Sequence, residues 1–230
     1  MTDHATQRPV DTLHSPPVAA LLARLFTESA ASNEKLRQML GQLSPEERAR
    51  RMADPHADYR RFFERVKDMY MAVSRETATL LYMLARGSGA RGIVEFGTSF
   101  GVSTIHLAAA LRDNGGGRLI GSELEPQKVE RARANLTAAG LADLVDIREG
   151  DALETLARDL PETVDLVLFD GHKPLYVPIL DLVAPRLRPG AFLVADNVDA
   201  SPGYVDRVRA AGGGFLSVPF AADVEVSIKL

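Results

Sequence analysis

Residues 92–123 read GIVEFGTSFGVSTIHLAAALRDNGGGRLIGSE, and their reading decides the fold. An apolar run of strand length ends at Gly97, and a turn holding Gly97 and Gly101 follows. "VSTIHLAAALRDN" then has the length and apolar content of a buried helix. Glycines break it, and "RLIGSE" resumes as a second strand. The rhythm continues downstream: "LVDIREG", "VDLVLFD" and "AFLVADN" are further short apolar runs, separated by the helical stretches "PQKVERARANLTAAG", "ALETLARDL" and "LYVPILDLVAPRL". Strands alternating with helices predict a parallel sheet covered on both faces. The chain ends differently. "FLSVPFA" and "VEVSIKL" are too close for a crossover helix, so they must form an antiparallel hairpin. The α/β sheet thus has seven strands, five parallel ones plus the C-terminal hairpin.

Upstream the pattern is helical from residue 16 to residue 89. "PVAALLARLFTES" repeats apolar residues at helical spacing. Ser44, Pro45 and Glu47 form a capping-box helix start, and Asp54-Pro55 offers a second, for a helix through Phe62, Phe63 and Val66. Ser74 opens "RETATLLYMLARG", which ends near Gly87. Residues 1–15 are polar and proline-bearing and read as a disordered tail. The expected organisation is a tail over 1–15, an N-terminal helical extension over 16–89 and an α/β domain over 90–230.

The 230 residues are 46% hydrophobic and 25% charged, an ordinary globular balance for one sizeable core. No apolar run approaches the roughly 20 residues that span a bilayer, and the N-terminus lacks a secretory apolar region. There is no cysteine, which excludes disulfides, thiolate metal sites and cysteine nucleophiles and fits a cytoplasmic protein. A net charge of −4 weighs against nucleic acid as a partner. The Arg-rich stretch "ERARRMADPHADYRRFFERVK" interleaves acids and reads as solvated helix faces.

In open Rossmann-like sheets, ligands bind at the carboxyl ends of the strands. The first such end, "VEFGTSFGVST", is not a G-x-G-x-x-G loop, because Ser99 holds its middle position. Glu95, just before Gly97, would repel a pyrophosphate and suits a ligand bearing an ammonium and a sulfonium, as S-adenosylmethionine does. Glu123, ending the second strand, stands where an acid hydrogen-bonds ribose hydroxyls, with Glu125 as its competitor. Gly150, Asp151 and Ala152 end the third strand and would flank the adenine, although Asp151 could equally cap the next helix.

The fourth and fifth strands end at Asp170 and at Asp196-Asn197. Adjacent parallel strands bring those ends together, and two carboxylates with an amide oxygen suit a hard cation, Mg²⁺ or Ca²⁺. Lys173 follows closely. Beside a divalent cation its ammonium form is disfavoured, which makes it a candidate general base. His172 stays open between a metal ligand, a wall against cofactor and an ordinary surface or core histidine.

These motifs resemble the class I S-adenosylmethionine-dependent methyltransferases, in the cation-dependent catechol and caffeoyl-CoA O-methyltransferase branch, over residues 71–230. "MAVSRETATLLYML" is similar to the segment leading into the family's first strand, which implies that Met71, Val73 and Ser74 border the cofactor. "VEFGTSFGVSTI" is similar to its first motif, which adds Ser99 and sets Ser103 near the methionine carboxylate. "FDGHK" and "VADNV" are the most specific matches. They imply that Asp170, Asp196 and Asn197 bind Mg²⁺ and that Lys173 is the general base, with Asp170 and His172 also beside the cofactor. The resemblance implies an O-methyltransferase acting on a small, hydroxylated, catechol-like aromatic acceptor, as a homodimer. Its N-terminal helices would shape the acceptor pocket or a dimer contact. The chain departs from the pattern at "AAGGGFLSVPFAADVEVSIKL", which is short and has no evident counterpart of the acid that holds a substrate hydroxyl in catechol enzymes. Two other readings stand beside this one: a hydroxylated tRNA nucleoside as acceptor, and an NAD(P)-dependent oxidoreductase.

Overall fold

The computed structural model describes residues 11–41, 44 and 64–230. The expected helix starts at Pro45–Glu47 and Asp54-Pro55, and the first ten residues of the expected tail, lie outside them. From residue 11 onward that tail is docked. The Thr12 amide and hydroxyl donate to the Asp113 carboxylate, and Leu13 is buried in the core.

Helix α1 (Pro16–Gly41) and helix α2 (Arg75–Gly87) precede strand β1 (Gly92–Phe96). Then come α3 (Val102–Asp113), β2 (Arg118–Glu123), α4 (Pro126–Ala138), β3 (Val145–Glu149), α5 (Ala152–Thr155) and β4 (Val164–Phe169). Helix α6 (Tyr176–Val183), β5 (Leu187–Ala195), α7 (Pro202–Arg209), β6 (Phe215–Pro219) and β7 (Glu225–Lys229) complete the chain. The seven strands lie in the order β3-β2-β1-β4-β5-β7-β6. The first five are parallel; β7 runs antiparallel to β5, and β6 to β7. This is the expected Rossmann-like α/β sheet with a terminal hairpin. The strand order reverses between β1 and β4, which opens a crevice at their carboxyl ends.

Side-chain alternation divides the core between the two faces. Ile93, Leu166 and Leu168 face a cluster that also holds Leu21 and Leu25 of α1, Leu81 of α2 and Ile105 of α3. Val94, Val167 and Phe169 face a second cluster with Tyr176 and Ile179 of α6 and Tyr204 of α7. Helices α1 and α2 therefore share the sheet's own core rather than forming a separate layer. Ser74 caps α2 as expected, its hydroxyl accepting from the Thr77 amide at 3.0 Å.

Two elements differ from the sequence reading. The helix expected over "ALETLARDL" stops at Thr155. Arg148 reaches across from β3 and donates to the carbonyls of Thr155, Arg158 and Asp159, so these acceptors are satisfied without further helix. Helix α7, which the sequence reading passed over, starts with Pro202 in its first turn and buries Tyr204 and Val208.

Candidate active site

A cleft of about 570 Å³, open to solvent, crosses the carboxyl ends of β1 to β4. Met71, Gly97, Ser99, Glu123, Asp151, Ala152, Asp170 and His172, all nominated from sequence, line it. Gly97 is required there. It has φ +96°, and an added Cβ would stand 2.5 Å from the Asp170 carbonyl oxygen. The chain turns so tightly because β1 and β4 are neighbours: the Asp170 amide donates to the Phe96 carbonyl at 2.8 Å.

Glu123 is fixed at both oxygens. One accepts from the Ser99 amide at 2.7 Å and the other from the Glu125 amide at 3.0 Å. The carboxylate thus ties the end of β2 to the glycine turn and still borders the cleft. Ser99 is held in the left-handed region at φ +48°, with its hydroxyl buried and without a hydrogen-bond partner among the described residues. Buried hydroxyls are rarely left unpaired. Asp151 serves as wall and cap together, accepting from the Leu153 amide at 3.0 Å.

Glu95, Ser103 and Val73 are not in the cleft wall. Glu95 is fully buried one layer below, accepting from the hydroxyls of Ser103 and Thr104, each at 2.6 Å, and of Thr98 at 3.1 Å. Desolvation pushes its carboxyl up to about 7 against those three donors, with the Asp170 charge adding to the rise. Ser103 is engaged by Glu95, and Val73 lies in the core.

The ends of β4 and β5 meet as expected, the Asp196 amide donating to the Phe169 carbonyl at 2.9 Å. Lys173 Nζ lies 3.1 Å from Asp170 Oδ1 and 2.9 Å from the Tyr176 hydroxyl. That hydroxyl is 2.8 Å from both the Phe169 and the Asp196 carbonyl oxygens, and it donates to one or the other. Tyr176 therefore ties both strand ends to the lysine. The sequence reading missed it, although Asp170, Lys173 and Tyr176 recur every third residue. Burial, then the Asp170 charge, pushes Asp196 up to about 7. Burial also raises Asp170, opposed by the neighbouring lysine. His172 is lowered by burial and by Lys173.

Asn197 adopts a left-handed conformation, and its amide nitrogen donates to Asp223 Oδ2 at 3.4 Å. Asp223 comes from the final hairpin turn, in the segment where the sequence shows no evident counterpart of the acid that holds a substrate hydroxyl in catechol enzymes. Among the described residues no three histidines or acids converge as a metal cluster; Asp170, Asp196 and the Asn197 amide end β4 and β5, with the Asp223 carboxylate against that amide.

A seven-stranded sheet in this order, with its crevice beside the glycine turn, is the architecture of class I methyltransferases. Residues 94–198 match the family model of a methyltransferase domain. A catechol O-methyltransferase of Niastella koreensis is 37% identical over 131 residues, 56% of this chain and 58% of that protein. Another, from Mycobacterium tuberculosis, is 37% identical over 153 residues, 66% of this chain and 64% of that protein. The match spans less than two thirds of either curated relative's own length. The O-methyltransferase TomG of Streptomyces achromogenes, solved in complex with SAM, superposes with a TM-score of 0.62 at 27% identity, over 88% of this chain and 98% of that one. Residues 94–198 thus carry a methyltransferase domain, and around it the chain is similar to S-adenosylmethionine-dependent O-methyltransferases of the catechol O-methyltransferase kind. These relatives support neither the tRNA-nucleoside reading nor the oxidoreductase one. Among the described residues no helix is long and apolar enough to cross a membrane.

Proposed function

We propose that this protein transfers a methyl group from S-adenosylmethionine to one hydroxyl of a small, catechol-like aromatic acceptor, with Lys173 as general base and Mg²⁺ as the second cofactor. The observation that carries the reading is the convergence of Lys173, Asp170 and Asp196 where β4 and β5 end beside the cleft. The cofactor fits the orphaned Ser99 hydroxyl and the backbone approach left open by Gly97. When bound, it supplies an electrophilic methyl group. The cation fits the chemistry of the donor set. Two carboxylates, one raising the other by its charge, followed along the chain by an asparagine, suit a hard divalent ion held by Asp170, Asp196 and Asn197. When bound, it polarises an acceptor oxygen as a Lewis acid.

Lys173, oriented by Asp170 and by Tyr176, takes the hydroxyl proton at Nζ. The acceptor oxygen then forms its bond to the methyl carbon as the carbon–sulfur bond breaks. Met71, Gly97, Ser99 and Glu123 hold the donor half, so much of the rate comes from positioning the two reactants. We extend the reading to a homodimer. Edge strand β6 exposes Leu216 and Val218, 63% and 58% accessible, beside unpaired backbone groups, and sedimentation velocity tests the pairing.

The direct test is Lys173→Ala assayed with S-adenosylmethionine, Mg²⁺ and a panel of catechols. Loss of about 100-fold or more in turnover is expected, with binding of S-adenosylhomocysteine retained. Full activity in the variant, or turnover indifferent to EDTA, refutes the respective assignment.

A further inference from the structure

One part of the cleft wall is held in place by side chains rather than by backbone. Met71 lines the cleft from residues 70–74, a stretch that is neither helix nor strand. Among the described residues, none of residues 70–73 makes a backbone–backbone hydrogen bond. Side chains to either side fix the stretch instead: Val73 lies in the core, and Tyr70 is buried. The Tyr70 ring packs on Phe100 of the glycine turn, with centroids 4.4 Å apart. Its hydroxyl donates to the Glu28 carboxylate of α1 and accepts from Arg131 of α4, whose Nη2 is 3.4 Å away. A buried phenol needs such partners. One helical turn back, Arg24 pairs with Glu28 at 3.0 Å and reaches Asn135 of α4 at 3.5 Å. The Asn135 amide nitrogen then donates to the Phe100 carbonyl at 3.0 Å. A single turn of α1 thus joins the Met71 stretch to the glycine turn. The side chains of Arg24 and Arg131 are 49% and 52% exposed, so their ion pairs contribute little. The weight falls on the bond between the buried phenol and the carboxylate.

We propose that Glu28 and Tyr70 are positioning residues for S-adenosylmethionine: through their bond, helix α1 sets Met71 against the glycine turn and so tunes the affinity of the cleft. The inference rests on the cofactor reading above. Neither side chain lines the cleft. Each acts through a neighbour, Tyr70 through Met71 and Phe100, and Glu28 through Tyr70. Without the bond, residues 70–73 have no backbone tie to fall back on. The free protein then samples positions of Met71 that binding must first reverse, and affinity falls by that fraction. This gives the N-terminal helices a task besides the acceptor pocket or dimer contact that the resemblance implies.

The experiment measures S-adenosylhomocysteine affinity by calorimetry on the full chain, well below the melting temperature of each variant. Tyr70→Phe keeps the ring on Phe100, and it and Glu28→Ala should each weaken binding by about five- to tenfold. Glu28→Gln keeps an acceptor for the phenol and should recover most of the loss. The double variant Tyr70→Phe/Glu28→Ala should bind no worse than the weaker single one, because both changes remove one bond. In turnover, KM for S-adenosylmethionine should rise by the same factor, with kcat at saturating cofactor within about twofold of the parent. Thr12→Val removes a tie between the N-terminal segment and Asp113, neither of which lines the cleft; it should leave the affinity within about twofold, whatever it does to the melting temperature. Should Glu28→Ala fail to fold, Tyr70→Phe decides. Unchanged affinity in Tyr70→Phe, additive losses in the double variant, or an equal loss in Thr12→Val overturns the assignment while leaving the cofactor reading intact. Failure of the unaltered protein to bind S-adenosylhomocysteine overturns both.

Discussion

Replacing Glu95 by Gln should make the stability of the ligand-free protein less dependent on pH, and the size of the change follows from the carboxyl's surroundings. Glu95 is fully buried, and desolvation raises it from 4.5 to about 7. Between those values the folded state keeps a proton that the unfolded state has released. The stabilisation from the neutral carboxyl is thus present below 4.5 and is lost as pH rises through about 7. A tenfold difference in proton affinity between the folded and unfolded chain corresponds to about 1.4 kcal/mol, so the native protein should lose about 2.5 kcal/mol from this group between pH 5 and pH 8. Glutamine cannot ionise and contributes no such slope. Asp196, also raised to about 7, titrates in both proteins and cancels in their difference. The assay is urea unfolding of both proteins at several values between pH 5 and 8, in EDTA and without cofactor. The variant's stability relative to the parent should climb by about 2.5 kcal/mol across that range. A constant difference would show that Glu95 is charged throughout and that its three hydroxyl donors outweigh burial.

Gly97→Ala forces a Cβ to within 2.5 Å of the Asp170 carbonyl at φ +96°; a loss of roughly 1–3 kcal/mol and of S-adenosylhomocysteine binding is expected, checked by urea unfolding and calorimetry. Tyr176→Phe removes the hydroxyl shared by Lys173 and two strand-end carbonyls. It should cost about 1–3 kcal/mol, lower the melting temperature by about 2–12 °C and slow turnover; an unchanged melting curve would refute the tie. Asp196→Asn relieves the repulsion between two buried carboxylates, so at pH 8 the metal-free variant should melt above the parent. The same change should abolish stimulation by Mg²⁺, read by titrating the metal into the activity assay.

Much of the fold is legible in the chain itself. Apolar runs of strand length alternating with helical stretches dictate a parallel sheet, and the short gap before "VEVSIKL" dictates the hairpin. Such patterns are local, since each run reports the burial of its own element. Asp170, Lys173, Asp196 and Asn197 could be singled out for the same reason: they interrupt buried strands, where an ion needs a partner. Other facts depended on residues brought together from far apart. Glu95 reads as a cleft acid until Thr98, Ser103 and Thr104 close over it. Arg148 ends α5 through carbonyls up to 11 residues away. Asp223 reaches Asn197 across 26 residues because β7, not β6, pairs with β5. Lys128 lies on a stretch that the sequence shows only as helical, and the packing of α4 against the glycine turn sets its ammonium over the Phe100 ring. Periodicity records which side of an element turns inward; which distant side chains it meets there is set by strand order and helix packing, and those contacts decide whether a buried charge is neutralised, shared or left for a ligand.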